Sequence, residues 1–231
     1  MMKNVAIVMA AGTGSRMGSD IPKQFLTIKG RPVLYFSLKT LEESFIDEIV
    51  VVTRKSDIEY VKNEIVDKYG FKKVSAVTEG GKERSDSVFC GLKAVKDDGE
   101  TYVYIHDGAR PLLNMEMLER VKADVLKYGA VVAAVPSKDT VKLADEDGFV
   151  SVTPERSRVW SVQTPQAFEY RLIYEAFLKM NAEGNVKVTD DGQVMELFSD
   201  TKVFLTMGDY RNIKITTPED LELAEKFLEN L

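Results

Sequence analysis

Two basic residues, Arg16 and Lys23, follow the run of small residues Ala10-Ala11-Gly12-Thr13-Gly14-Ser15, and that combination suits chemistry on a polyphosphate. A chain that turns sharply after an apolar segment presents backbone N–H groups, and unshielded amides bind phosphate. Gly12 and Gly14 permit close approach, while Ala10 and Ala11 keep bulk away. Arg and Lys beside such a cradle supply what phosphoryl-type transfer asks of a protein. They position the groups and stabilise charge on equatorial and leaving oxygens, with no need for a nucleophilic side chain. Pro22 holds the residue before it in an extended conformation. The spacing argues against two common alternatives: Met17 stands where a dinucleotide-binding fingerprint needs its third glycine, and no Gly-Lys-Ser/Thr closes the loop as a Walker A motif requires. An NAD-dependent oxidoreductase is therefore disfavoured. The bland reading of the same string is a turn followed by two solvated cations.

The remaining reactive residue types offer less. The chain has one His, His106, and one Cys, Cys90. A single Cys excludes an intrachain disulfide and a cysteine zinc cluster, so carboxylates are what remains for a metal. A phosphate monoester is already a nucleophile at neutral pH and needs no general base, so His106 is expected to be structural. Cys90, with Phe89 and Leu92 nearby, reads as a core residue. Asp190 and Asp191 read as caps at the start of a helix rather than as a metal pair.

Elements that must position these residues alternate along the chain. Short runs rich in Val and Ile recur at residues 4–10, 48–53, 72–77, 102–106 and 130–135, as buried parallel strands do. Segments of helical spacing lie between them at 32–41, 57–69, 85–95 and 115–128. The alternation predicts an α/β fold with a Rossmann-like, mostly parallel sheet flanked by helices, and ligands at the carboxyl ends of the strands. Residues 136–153 alternate apolar and polar around Asp145-Glu146-Asp147-Gly148, which predicts a protruding β-hairpin arm. A lone ribbon is unstable in water, so the arm is expected either to pack on a partner subunit, dimerising the protein, or to fold back on the sheet. Helices are expected at 171–180, 191–198 and 218–228, and strands at 202–207 and 211–216. Residues 1–231 form one domain on this reading, with 136–158 as the arm.

Composition sets the outer bounds. There are 31 Lys and Arg against 37 Asp and Glu in 231 residues, a net charge of −6, which lacks the broad basic footprint of a nucleic-acid binder. No apolar stretch reads as a membrane span or a signal peptide, so Met1 is read as the start of a cytoplasmic chain.

Ala10 to Arg16 followed by Pro22-Lys23-Gln24 resembles the signature of the sugar-nucleotidyltransferase superfamily, and Pro22-Lys23-Gln24-Phe25 resembles its polyol-phosphate cytidylyltransferases. Further stretches agree in order across almost the whole chain: Gly80-Gly81 with Glu83 to Val88, Ile105 to Pro111, Gln163 to Phe168, Thr189-Asp190-Asp191, and Asn212 to Asp220. Glu83 to Ser87, Pro154 to Ser157 and Thr189 to Asp191 look more like the branch acting on methylerythritol phosphate, which serves non-mevalonate isoprenoid synthesis, than the branch acting on ribitol phosphate. Gly108, Lys82 and Arg211 depart from the pattern and touch none of the expected reacting groups.

The resemblance implies an enzyme that transfers CMP from CTP to a polyol phosphate, with Mg²⁺ or another divalent cation accompanying CTP. By that likeness Arg16 and Lys23 would stabilise the transition state, and Ala10, Ala11, Gly12 and Gly14 would wrap the triphosphate. Gly80, Gly81 and Ser87 would meet the base, and Asp107 the ribose or the metal. Arg110, Thr140, Arg156, Thr189 and Lys214 would bind the acceptor. Thr140 and Arg156 would come from the arm of a neighbouring subunit, with Arg158 a close competitor for the role of Arg156. A non-catalytic nucleotide-binding homologue is the reading from another class, and it would have no need of Arg16 and Lys23.

Overall fold

The computed structural model describes residues 2–12, 21–184 and 186–229. Its centre is a seven-stranded sheet built from β1 (Lys3–Ala10), β4 (Glu48–Thr53), β5 (Val74–Glu79), β6 (Thr101–Asp107), β7 (Ala130–Pro136), β10 (Trp160–Glu169) and β11 (Phe204–Met207). The spatial order is β11-β7-β10-β6-β1-β4-β5. Neighbours pair in parallel except β10, which lies antiparallel between β6 and β7. Two short hairpins complete the strands: β2 (Thr27–Ile28) with β3 (Arg31–Pro32), and β8 (Leu143–Ala144) with β9 (Val150–Val152).

Helices cover both faces, as strands apolar on both sides require. They are α1 (Val33–Glu42), α2 (Ile58–Tyr60), α3 (Arg84–Ala94), α4 (Met115–Tyr128), α5 (Tyr170–Glu183), α6 (Asp191–Phe198) and α7 (Pro218–Glu229). Alternate residues of β1 divide between the two cores. Ala6 and Val8 pack with Leu34, Leu38 and Leu118 on one face, and Val5 and Ile7 with Val88, Leu92 and Phe177 on the other. α2 runs on as a π-helical stretch over Val61–Asp67, where helical spacing alone predicted a regular helix. Among the described residues, no helix is long and apolar enough to cross a membrane.

Three expectations need correction. Strand β10 was not foreseen: it carries Gln163, Thr164, Pro165 and Gln166 through the middle of the sheet, a composition that argues against a central strand. A register shift between Val162 and Gln166 accommodates the proline. The arm is paired only over β8 and β9, far less than a ribbon spanning 136–153. Its turn is closed by Asp145, whose carboxylate accepts from the amides of Asp147 (3.1 Å) and Phe149 (2.8 Å). Residues 211–216 form no strand. This segment is fixed instead by side chains and single backbone bonds, described below.

Candidate active site

The carboxyl ends of β1, β4, β5 and β6 open onto one edge of the sheet, and β1 is the strand at which the connections turn to opposite sides. Such a switch point leaves a crevice between the outgoing loops. A cavity of about 340 Å³ lies there, lined by Ala11, Gly12, Lys23, Gly81, Lys82, Glu83, Arg84, Ser87, Asp107 and Lys214, among others. A second chamber of about 280 Å³ shares Arg84, Asp107 and Lys214 with the first and adds Arg110, Gln163, Gln166, Thr189 and Asp190. The site is one cleft with two compartments and a common wall.

Lys23 owes its place to its neighbours. It opens the 3₁₀ turn Lys23–Phe25, in which the Phe25 amide donates to the Pro22 carbonyl at 2.8 Å. Gln24 is buried, and its amide donates to the carbonyls of Ala10 (2.7 Å) and Gly12 (3.1 Å), which ties the turn to the start of the glycine-rich loop. Phe25 packs against Tyr60, ring centres 4.9 Å apart. With Gln24 and Phe25 turned inward, Lys23 lines the cleft beside Gly12. Arg16 and Gly14 lie outside the described residues. Ala10 is buried behind the loop, its carbonyl taken by Gln24 and by the Thr53 hydroxyl at 3.2 Å.

The segment after β5 packs on the first turn of α3. A Cβ on Gly80 would come within 2.7 Å of the Ser87 hydroxyl, and one on Gly81 would run into Asp86, so both positions need glycine for space. Ser87 donates to the Glu83 carbonyl (3.0 Å) and accepts from the Gly81 amide (3.1 Å), which closes the loop. Glu83 and Asp86 form a reciprocal capping box on α3. Backbone groups of this loop, more than the Ser87 hydroxyl, are what remains to face a ligand.

Asp107 ends β6 and is the hub of the site. Lys214 Nζ lies 2.7 Å from one of its oxygens and Arg84 Nε 3.6 Å from the other, with Arg110 Nε at 3.7 Å. Burial pushes the Asp107 carboxyl up, but Arg84, Lys214 and Arg110 together outweigh it and hold the group well below the usual carboxylate range. Arg84 in turn makes a fork to Asp191, at 2.9 and 2.8 Å. Burial works against the Arg84 charge, and the carboxylates of Asp191 and Asp107 more than restore it. Asp190, not Asp191, is the helix cap, accepting from the Gln193 amide at 2.9 Å. Asp191 faces inward.

Lys214 sits in the irregular segment that replaces the expected strand. Asn212 is fully buried and donates to the Thr164 carbonyl at 2.8 Å, while its own carbonyl accepts from Arg110 Nη1 at 2.7 Å. The Ile215 amide donates to the Ala109 carbonyl at 2.8 Å. Lys214 is thus held from both sides. Thr189, at the second chamber, has its amide and hydroxyl engaged with Gln193. Thr140 and Arg156 are exposed on and beside the arm and line neither compartment of this chain. Sequence reasoning passed over Arg84, Gln24, Gln163 and Gln166 as site residues, although all four lie in quoted motifs.

A family model described as 2-C-methyl-D-erythritol 4-phosphate cytidylyltransferase matches residues 4–230. The chain belongs to this family. Relatives of that name from Clostridium botulinum (strain 657) and Lachnoclostridium phytofermentans are 50% and 46% identical, over 100% and 99% of this chain and 100% and 97% of theirs. A solved 4-diphosphocytidyl-2C-methyl-D-erythritol synthase from Anaerococcus prevotii superposes with a TM-score of 0.86 at 39% identity, covering 99% of both chains. A 2-C-methyl-D-erythritol 4-phosphate cytidylyltransferase from Thermus thermophilus gives 0.76 at 30%, over 99% of this chain and 100% of that one.

In this member of the family His106 is wholly buried, as a structural residue should be. Nε2 lies 3.3 Å from the Arg110 carbonyl, and Nδ1 lies 3.1 Å from the Thr164 hydroxyl, which also accepts from the Asp107 amide at 3.0 Å. A carbonyl only accepts, so the neutral Nε2–H tautomer satisfies both contacts, with the Thr164 hydroxyl donating to Nδ1. Burial lowers the His106 pKa to about 4. A folded value below the ordinary 6.5 means a contribution to stability that is complete above pH 6.5 and is lost as pH falls towards 4. Because this is the one histidine in the chain, its imidazole proton resonance should titrate with a midpoint near pH 4 in the folded protein. Urea denaturation should show a loss of about 3 kcal/mol from this group across that window. A midpoint near 6.5 would refute the buried neutral assignment.

Proposed function

We propose that the protein transfers CMP from CTP to 2-C-methyl-D-erythritol 4-phosphate, forming 4-diphosphocytidyl-2-C-methyl-D-erythritol and pyrophosphate. An oxygen of the acceptor's phosphate attacks the α-phosphorus in line. A new P–O bond forms as the bond to the β-phosphate oxygen breaks, and the electron pair leaves with pyrophosphate. The observation that carries this reading is the shared wall: Lys23 and Lys214 face one compartment, and Lys214, Arg84 and Asp107 open equally onto a second that holds Arg110 and Thr189. The first compartment suits the triphosphate and base, lying between Gly12 and Gly81. The second suits a small phosphorylated polyol.

Within that frame Lys23, with Arg16, offsets charge growing on the α-phosphate and the leaving oxygens, and Lys214 and Arg110 hold the acceptor's dianion at the angle of attack. Lys214 has three N–H donors, so it can keep Asp107 while it donates to a phosphate oxygen. Asp107 fits a divalent cation only as a single carboxylate ligand to an ion that already carries phosphate oxygens, the usual habit of Mg²⁺. Three cations crowd this carboxylate, and among the described residues no group of three or more His, Cys, Asp or Glu gathers to hold a metal. Asp107 would hold such an ion, which would neutralise part of the phosphate charge.

The arm supports a homodimer. Leu143, Phe149, Val150 and Val152 are 51–73% exposed, a ribbon of apolar residues that none of the described residues covers. A second copy seated there would carry Thr140 and Arg156 towards the neighbour's second compartment. Residues 136–158 are then an excursion from a single domain spanning residues 1–231.

Pyrophosphate release in the presence of CTP and Mg²⁺ tests the function, with methylerythritol phosphate, ribitol 5-phosphate and glycerol 3-phosphate compared as acceptors. Release with the first at a kcat/KM at least tenfold above the others is the expected result. A preference for ribitol phosphate would overturn the acceptor, and no release with any of the three would overturn the enzyme.

A further inference from the structure

Gln166 is 1% exposed on β10 and makes more specific contacts than burial alone requires. Its carbonyl oxygen accepts from two backbone amides at the start of α6, those of Asp191 (3.0 Å) and Gly192 (2.9 Å). Its amide nitrogen donates to the Asp190 carboxylate at 3.0 Å. Two N–H donors on one side and a carboxylate on the other leave a single orientation for the amide. The helix start has little slack on its far side, because a Cβ on Gly192 would come within 2.9 Å of Val132. With those amides already satisfied, this helix terminus is not free to bind an anion.

What Gln166 fixes is the direction of Asp191. That carboxylate forks Arg84, Arg84 reaches towards one oxygen of Asp107, and the other oxygen of Asp107 holds Lys214. We infer that Gln166 is a positioning residue for transfer, acting through Asp191 and Arg84 to set where Asp107 and Lys214 stand against the acceptor. The inference rests on the proposed reading that the second compartment takes the acceptor. Gln166 is the one amide side chain that joins β10 to the start of α6 on this path. Its loss would free Asp191 to turn without emptying the site of any charge.

Two variants test it. Gln166→Met removes these hydrogen bonds and the longer one from the Gln166 amide to the Gln163 carbonyl (3.5 Å), and Gln166→Glu keeps the acceptor for both amides but sets a carboxylate against that of Asp190. For Gln166→Met we expect the acceptor KM to rise at least tenfold and the CTP dissociation constant, measured by calorimetry without acceptor, to rise less than threefold, because Arg84, Asp107 and Lys214 also line the first compartment while Lys23, Gly12 and Gly81 there stay in place. For Gln166→Glu a rise is also expected, since its carboxylate repels that of Asp190 across the same contact. A second readout needs no turnover: in substrate-free protein, the Nη–H resonances of Arg84, which donate to Asp191, should exchange with water at least tenfold faster in Gln166→Met. A role confined to general stability would lower the melting temperature and move neither quantity. The inference is overturned if a folded variant keeps both the acceptor KM and the Arg84 exchange rate of the parent, or if CTP affinity falls as much as acceptor affinity. If the parent transfers CMP to no polyol phosphate, the functional reading falls by itself, and the Arg84 resonance still decides what Gln166 does.

Discussion

Replacing Lys23 with alanine should lower kcat by about 100- to 1000-fold, the scale on which loss of one group aimed at transition-state charge is felt, while CTP affinity falls far less. The reason lies in how the side chain is placed. Gln24 and Phe25 anchor the turn on either side of it, so Lys23 approaches the glycine-rich loop from a fixed base. A cation placed in advance offsets charge as it grows on the α-phosphate without the cost of reorganising. Single-turnover rates and calorimetric CTP binding separate the two contributions, and equal losses in both would mean that Lys23 merely holds the ground state. The same variant reports on the arm. If Arg156 of one subunit completes the site of its neighbour, mixing inactive Lys23→Ala with inactive Arg156→Ala restores activity. Random exchange makes half the dimers mixed, each with one intact site of two, so about a quarter of parental activity returns. No recovery after proven subunit exchange would place each site within one chain.

The parts of this site that were legible in the sequence are those whose logic is local. Gly12 and Lys23 lie in one short stretch after a strand, and Asp107 ends a strand that its Val and Ile content announces. Gly12, Lys23 and Asp107 all line the cleft, each close to the end of a strand that the sequence marks. Lys214 lines the cleft, but from an irregular segment where the sequence predicts a strand. Ile213 and Ile215 alternate as a strand would, yet the segment is pinned by Asn212 and by one bond to Ala109. Arg84, Asp191 and Gln166 escaped for the opposite reason: their meaning depends on partners far away along the chain. Arg84 and Asp191 stand 107 positions apart, and nothing in either neighbourhood marks the other. Strand β10 was hidden by the same residues that make it useful. Gln163, Thr164 and Gln166 are buried polar groups whose partners are Asp209, His106, Asp107 and the start of α6, and a pattern search for apolar alternation passes over them.

Removal of the Arg84 guanidinium should be the most damaging single change to stability in the described cleft. The Asp191 side chain is 1% exposed and that of Arg84 31%, so the carboxylate is the partner that cannot find water. Breaking a buried pair by deleting one member leaves an uncompensated charge, at a cost of about 3–5 kcal/mol. Because Arg84 keeps some solvent contact, Arg84→Met should fall near the lower end, about 3 kcal/mol in urea denaturation at pH 8. The sign of the pH dependence follows. Burial, with the neighbouring Asp107 and Asp190, already raises the Asp191 carboxyl above its unfolded value against the pull of Arg84, and loss of Arg84 raises it further, so the penalty is full well above that raised pKa and shrinks as pH falls through it. The gap between variant and parent should therefore narrow between pH 8 and pH 5, and the His106 contribution, common to both proteins, cancels in the difference. Adding Asp191→Asn to Arg84→Met should recover much of the loss, since an amide in that place carries no charge and Gln166 still meets the backbone beneath it. A deficit under about 1 kcal/mol, or one that is the same at both pH values, would show that Asp191 does not depend on Arg84 for its ionised state.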